Sequence, residues 1–421
     1  MTNWLTRGMA ALIAAGVLAP APPAVAQTSS PAPVVVDRDM TPAAGAADVL
    51  AAQRLISSFE DRLLPARFSE ATRLTHALGI AYRLGKWAAI DLPQDSFLMV
   101  AAHEVFGHGA RLREIGASGV RYRFEAPPPY GAGSAATMFN GLSPGAAARA
   151  DLLAIDTAGI EAQNVLADDI GEQALARGSL SYRAAWLYAQ SRIAGLLYIR
   201  GVSAQSSPGH DVADFLHDVN DGCVPPACAP LDESTLKNRA MAMLADPMLA
   251  FSAYGFAVNY IVHGRTDTTV PMVSLPHGLR YLPAVGFSMT PQGTEWTTVH
   301  SFRAGGRLTQ FTVRIGDTGA ERTWGLGVRA ARVAQRGRID ADLSADVWRQ
   351  PALDATPSAT RLMTGGLVAT TIRVALGGSK KSSRVGLVGQ AGYKSDGFVS
   401  GERLRAGAII RAGLTIAFGV E

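Results

Sequence analysis

The sequence is poor in cysteine, in clustered charge and in long apolar runs. It has 2 cysteines in 421 residues, and no second pair is present to complete a cysteine-based zinc site. No block of Lys and Arg stands out and the formal net charge is only +4, which excludes a nucleic-acid-binding footprint. No apolar run reaches the roughly 20 residues that a membrane-spanning helix needs, which disfavours an intramembrane protease.

Residues 1–26 have the layout of a signal peptide. Arg7 precedes an apolar stretch over residues 9–19, and the sequence Ala-Val-Ala at the end offers a cleavage site. We therefore expect export to the cell envelope. In that oxidising compartment Cys223 and Cys228 are expected to form a local disulfide in a Pro-rich loop, with two free thiols as the alternative.

The rest of the chain divides into three parts. Residues 27–44, rich in Pro, Ala and Ser, predict a disordered tether. Residues 45–265 carry apolar positions three and four apart, which predicts a helical domain. Residues 279–421 carry period-two alternation, which predicts an antiparallel β domain.

The β half is predicted to contain eight alternating segments. In the last one the apolar face is eight positions long, where a lipid-crossing strand needs about 9–11 residues. The opposite faces of the alternating segments carry glycine and charged residues of both signs. Inside a narrow barrel these charges can pair, the arginines Arg314, Arg329, Arg405 and Arg411 with the aspartates Asp340, Asp342 and Asp346. Segment length and alternation resemble bacterial outer-membrane β-barrels, with a soluble periplasmic β domain as the alternative. The segments cover about 279–290, 294–303, 306–316, 322–334, 337–350, 361–376, 383–394 and 403–418.

The sequence His103-Glu104-Val-Phe-Gly107-His108 is the motif that carries chemistry. Two neutral imidazoles can bind a catalytic zinc ion, and a glutamate beside the first can take a proton from a metal-bound water. The histidines are five positions apart, which on an ideal α-helix turns them away from each other by about 140°. They can converge if the helix takes an extra residue as a π-bulge, and Gly107 is permissive for that distortion. The alternative is a polar cluster without metal.

This motif resembles the HExxGH signature of the dipeptidyl peptidase III type of zinc metallopeptidase, a variant of the HExxH gluzincins. The resemblance implies that His103 and His108 are zinc ligands and that Glu104 is the general base. It also implies a third ligand, a glutamate on a downstream helix. Glu161 is the candidate here, with Gly159 nearby to let its helix pack closely on the motif helix, and Asp156 as the fallback.

The expected fold class is α+β, a helical zinc-hydrolase-like domain followed by an antiparallel β-barrel of about eight strands. The expected function is a zinc-dependent metallopeptidase of the cell envelope, in which metal-activated water attacks a peptide carbonyl with Glu104 as base. Zn²⁺ is the expected cofactor, a peptide or protein the substrate, and outer-membrane lipid the surroundings of the β domain, with the helical domain in the periplasm. The alternative is a non-catalytic outer-membrane protein whose helical half binds metal or a partner. His210, His217, Tyr254 and Tyr260 are available as transition-state donors, and the sequence does not rank them.

Overall fold

A computed structural model describes residues 32–64, 72–141, 149–203, 205–206, 209–356, 361–377 and 384–417. The predicted signal peptide, residues 1–26, and the first residues of the predicted tether lie outside these ranges.

The first half of the described chain is mainly helical. Three π-helical segments lie at Trp87–Asp91, Ala102–His108 and Gly255–Val262. The first two continue their flanking α-helices, so that the backbone is helical without interruption from Arg73 to Glu114. The α-helices are α1 (Pro42–Leu63), α2 (Arg73–Lys86), α3 (Leu92–Ala101), α4 (Gly109–Glu114), α5 (Arg149–Arg177), α6 (Tyr182–Gly201), α7 (Asp211–Asn220), α8 (Glu233–Ala240) and α9 (Pro247–Tyr254).

The second half of the described chain is a large antiparallel sheet. Its eight long strands coincide with the eight predicted segments, because alternation of side chains between two faces has the period of a strand. They are β7 (Arg280–Thr290), β8 (Gly293–Ala304), β9 (Arg307–Asp317), β10 (Arg322–Arg336), β11 (Ile339–Pro351), β12 (Leu362–Gly377), β13 (Arg384–Lys394) and β14 (Gly407–Ala417).

Two short strands, β1 (Ala32–Val36) and β6 (Val273–Ser274), extend this sheet to ten strands in the order β1-β14-β13-β12-β11-β10-β9-β8-β7-β6. Within the described residues β1 and β6 are the two edges and do not pair with each other. The α+β class is therefore confirmed, whereas closure of the sheet into a barrel stays a prediction. Two-stranded ribbons are formed by β2 (Arg121–Phe124) with β3 (Ala135–Met138), and by β4 (Ser179–Ser181) with β5 (Asp267–Thr269).

The tether predicted over residues 27–44 is wrong for residues 32–44. Residues 32–36 pair in register with β14, and α1 begins at Pro42. The backbone N–H of Val35 also donates to Asp48 Oδ1 at 2.7 Å. The Pro and Ala content suggested disorder, but three consecutive valines have high strand propensity and cover the otherwise open edge of β14.

The polarity of the sheet is the reverse of that in a water-soluble domain. On β14, Ile410 is 71% exposed while its neighbour Arg411 is 7% exposed. Leu414 of β14 is also exposed, and the same holds along other strands, where large apolar side chains are exposed: Phe311, Ile315, Trp324, Leu326, Leu343, Val347, Val368, Ile372 and Leu387. The helical half packs against β7, β8 and β9, where Leu282 and Leu308 share a buried apolar cluster with residues of α1, α3, α5 and α6.

The four arginines that were expected to pair inside the sheet all find acidic partners, but only one of the predicted pairs forms. Arg314 binds Asp346 at 3.0 Å. The others reach acids outside the strands that were considered: Arg329 with Glu172 of α5, Arg405 with Asp151 of α5, and Arg411 with Asp37 and Glu402. The helical half thus supplies counter-charges that alternation within the strands does not reveal.

Cys223 and Cys228 form a disulfide with a Cα–Cα distance of 5.4 Å, which confirms that prediction. Among the described helices, none is by itself long and apolar enough to cross a membrane. One bent pair, Glu233–Ala245 with Pro247–Val262, meets that test by length and composition alone.

Arg411→Met tests the polar interior of the sheet. Arg411 contacts Asp37 Oδ2 at 3.0 Å and Glu402 Oε2 at 2.7 Å, and removing it leaves two buried carboxylates without their cation. We expect a loss of about 3–5 kcal/mol in the free energy of unfolding, measured by denaturant titration. The control, Arg336→Met at an exposed strand end, should cost less than about 0.5 kcal/mol. Equal stability of both variants would contradict this account of the interior.

Candidate metal site

The motif lies in the last part of the continuous helical stretch, Leu92 to Glu114, which is here called the motif helix. Its central segment, Ala102–His108, is π-helical. This confirms the predicted distortion, because i→i+5 bonding brings residues five apart onto one face. The rings of His103 and His108 lie with centroids 4.9 Å apart.

Asp211, the first residue of α7, completes a group of three ligand atoms. His103 Nε2 and His108 Nε2 are 3.2 Å apart, and Asp211 Oδ2 lies 3.1 Å from the first and 3.2 Å from the second. Ligands of a tetrahedral zinc ion with bonds of about 2.0–2.1 Å are about 3.3 Å apart. The triangle therefore has the size of three ligand positions, and the group can hold a metal ion.

The hydrogen bonding of His108 suits metal binding. Its imidazole is hydrogen-bonded to the backbone of Ile155, which leaves Nε2 directed at His103 and Asp211. A hydrogen bond of this kind from the second ring nitrogen usually fixes and orients a metal-binding histidine.

The electrostatics of the site favour a cation. Burial disfavours the charged form of His108, but the Asp211 carboxylate outweighs it and raises the pKa of His108 to about 9. Burial likewise opposes ionisation of Asp211, yet the two histidines lower its pKa well below the usual range. Nearby, burial and the carboxylates of Asp218, Asp214 and Asp211 raise the pKa of Asp156 to about 8.

Two glycines let the motif helix touch α5 at the backbone. A Cβ at Gly107 would lie 2.6 Å from the carbonyl oxygen of Ala158, and a Cβ at Gly159 would overlap the imidazole of His103. The close packing expected of Gly159 is confirmed. Its physical role is to provide the space in which the His103 ring lies.

Glu104 is held by the β2–β3 ribbon. The Thr137 hydroxyl on β3 lies 2.6 Å from Glu104 Oε2 and 3.2 Å from the backbone oxygen of Glu104. Glu104 is buried, and it adds to the negative field that acts on His108. The Thr137 hydroxyl therefore holds Oε2 of Glu104 and makes no hydrogen bond to Oε1.

Glu161, the predicted third ligand, is engaged elsewhere. Both of its carboxylate oxygens accept hydrogen bonds from Arg111 Nη2, at 2.8 and 2.7 Å, and Oε1 also accepts one from the backbone N–H of Gly401. It does not belong to the group formed by His103, His108 and Asp211. The carboxylate is buried and needs a partner, as the sequence suggested, but that partner is Arg111.

The structure also ranks the candidate donors near the site. His210 stacks on Tyr198 with ring centroids 4.4 Å apart, and the Tyr198 ring lies 6.2 Å from that of His103. His217 is exposed, and Tyr260 stacks on Tyr182 instead. Sequence reasoning named His210 but missed its neighbour Tyr198 and the candidate ligand Asp211, because no short spacing connects α6 and α7 to the motif.

Comparisons with known proteins add no relative: no family model, curated protein or solved structure matches this chain.

Gly159→Ala tests the packing at the site. The new methyl group has to displace the His103 ring, so we expect the affinity of the site for a divalent metal ion to fall at least about 10-fold in a competitive chelator titration. The matched control is Gly171→Ala on the same helix, where a Cβ would meet only Tyr188 Cε2 at an ordinary 3.5 Å. Unchanged affinity in Gly159→Ala, with the fold intact, would refute the role given to this glycine.

Proposed function

We propose that this chain is a zinc-dependent hydrolase that cleaves peptide bonds at the envelope. The observation that carries the proposal is the triangle of His103 Nε2, His108 Nε2 and Asp211 Oδ2, with edges of 3.1–3.2 Å, on a motif that also contains a glutamate. Three protein ligands leave one position of a tetrahedral ion open, which is the arrangement of catalytic rather than structural zinc sites.

The protein groups around this position have separate roles. A bound zinc ion supplies Lewis acidity, which acidifies water and polarises a carbonyl. His103, His108 and Asp211 hold the ion. Glu104 accepts the proton of the attacking water and passes it to the leaving amine, and Thr137 keeps the carboxylate in place through Oε2.

A peptide substrate is supported by two features. The first is the resemblance of the motif to the HExxGH signature. The second is β3, which pairs only with β2 within the described residues and carries Thr137 beside Glu104. An extended peptide can add to the free edge of such a strand through main-chain hydrogen bonds, which brings its carbonyl groups past the site.

We further propose that the ten-stranded sheet lies in the outer membrane as a barrel with its apolar face towards lipid. The support is its polarity: exposed apolar side chains alternate with buried Arg314, Arg411 and other polar residues, and the long strands have 11–16 residues. A strand that crosses the outer membrane needs about 9–11 residues and has an apolar outward face. Monomeric soluble proteins rarely expose an apolar surface of this extent.

Glu104→Gln tests the hydrolase. It removes a base and not a ligand, so we expect zinc content to stay near that of the wild type while peptide hydrolysis falls by at least 100-fold. Zinc is measured by elemental analysis and hydrolysis with a quenched-fluorescence peptide library. Thr137→Val should cause a smaller loss, because it removes only the donor to Glu104. Equal rates for wild type and Glu104→Gln would favour a metal-binding protein without catalysis.

Fractionation of cells that express the chain tests the membrane proposal. We expect the protein with the outer membranes, extracted by detergent, and a band whose mobility on gels changes on heating, because closed barrels resist unfolding without heat. Full-length protein in the soluble periplasmic fraction would contradict a lipid-facing sheet and would favour a soluble β domain.

A further inference from the structure

Helix α2 turns its apolar side away from the protein. Every exposed residue from Leu74 to Ala89 is apolar or glycine, and Leu74 is 71% exposed. The exposed set recurs every three or four positions and consists of Leu74, Ala77, Leu78, Ala81, Leu84, Gly85 and Ala89. This stripe is about 22 Å long at 1.5 Å per residue.

Arg83 and Lys86, in the last turn of α2, point inward and are bound there. Arg83 Nε donates to the backbone oxygen of Ile261 at 2.9 Å. Lys86 Nζ forms ion pairs with Glu60 of α1 and, at 2.8 Å, with Asp91. The helix is therefore amphipathic in the reverse sense from a helix on the surface of a soluble domain, whose apolar stripe faces the core.

The second half of α1 has the same reversed polarity. Gln53, Ser57 and Glu60 are buried. The opposite side of α1 exposes large apolar residues up to the end of the helix, and Leu63 is 81% exposed; the set is Leu55, Ile56, Phe59 and Leu63. Glu60 of α1 forms an ion pair with Lys86 of α2, so the polar side of α1 belongs to the same interior as that of α2.

We propose that the outward sides of α1 and α2 form a second lipid-contacting surface, which binds the acyl chains of the membrane. A helix with apolar side chains outward and paired charges inward is stable in contact with lipid, whereas contact of its outer side with water costs free energy. Arg62 near the end of α1 and Arg73 at the start of α2 are exposed beside these stripes, where they complement the phosphates of anionic headgroups.

A second copy of the chain is the rival occupant, and the charges disfavour it. A two-fold contact centred on Leu63 and Leu74, the most exposed residues of the two stripes, would bring the neighbouring Arg62 and Arg73 of both copies towards one another. A bilayer supplies both the apolar phase for the stripes and the opposite charge for the arginines. The helical half is then seated on or in the membrane rather than free in the periplasm.

Site-directed spin labelling of the full chain in vesicles of phosphatidylethanolamine and phosphatidylglycerol tests this proposal. Single nitroxides are placed by Phe59→Cys and Leu78→Cys, with His217→Cys as the water-exposed control and Ile410→Cys as the reporter of the sheet. The native cysteines are paired in a disulfide, so the added thiol is the reactive one. Power saturation then compares collision with oxygen, enriched in lipid, and with a water-soluble nickel chelate.

We expect oxygen to dominate at residues 59, 78 and 410 and the chelate to dominate at residue 217. If collisions with the chelate dominate at residues 59 and 78 while collisions with oxygen dominate at residue 410, the sheet contacts lipid but the helices do not, and the helix proposal is overturned. Spectral broadening at residue 78 that disappears on dilution with unlabelled protein would show that a second copy covers the face, and would also overturn it. Zinc binding and hydrolysis are separate readouts, so failure of the metal-site proposal is distinguishable from either result.

Discussion

The backbone contact between the motif helix and α5 is the constraint on which the site depends. Gly107 meets the carbonyl of Ala158, and Gly159 leaves the space filled by the His103 ring. At this separation the His108 imidazole reaches the backbone of Ile155, and α5 also packs against α7, which begins with Asp211. A wider spacing would break these contacts together, so two small residues determine whether three ligand atoms converge.

The site is also tied to the sheet. Arg111, three residues after His108, binds Glu161 and the backbone oxygen of Glu402, while Glu114 accepts hydrogen bonds from the backbone N–H groups of Leu404 and Arg405. The connection between β13 and β14 is therefore anchored on the end of the motif helix. These buried polar contacts join the helical half and the sheet into a single structural unit.

Sequence reasoning succeeded where one local pattern determines the structure. Period-two alternation located β7 to β14, and the five-residue spacing of His103 and His108 predicted the π-helical segment. It did not find interactions between residues that are distant in sequence. No spacing rule links Asp211 to the motif. A buried carboxylate such as Glu161 needs a cation, but the sequence does not tell whether that cation is zinc or Arg111. Periodicity predicted α2 as a helix, but it does not tell which face of the helix turns towards the protein.

X-ray absorption spectroscopy at the zinc edge tests the central claim most directly. The account predicts one zinc ion per chain, bound by two imidazole nitrogens and a carboxylate oxygen at about 2.0–2.2 Å, with water in the open position. It also predicts loss of stoichiometric zinc in Asp211→Ala but not in Asp214→Asn, a carboxylate on the same helix outside the ligand group. A wild-type protein that takes up no zinc, or an Asp211→Ala spectrum identical to that of the wild type, would contradict the assignment of this site.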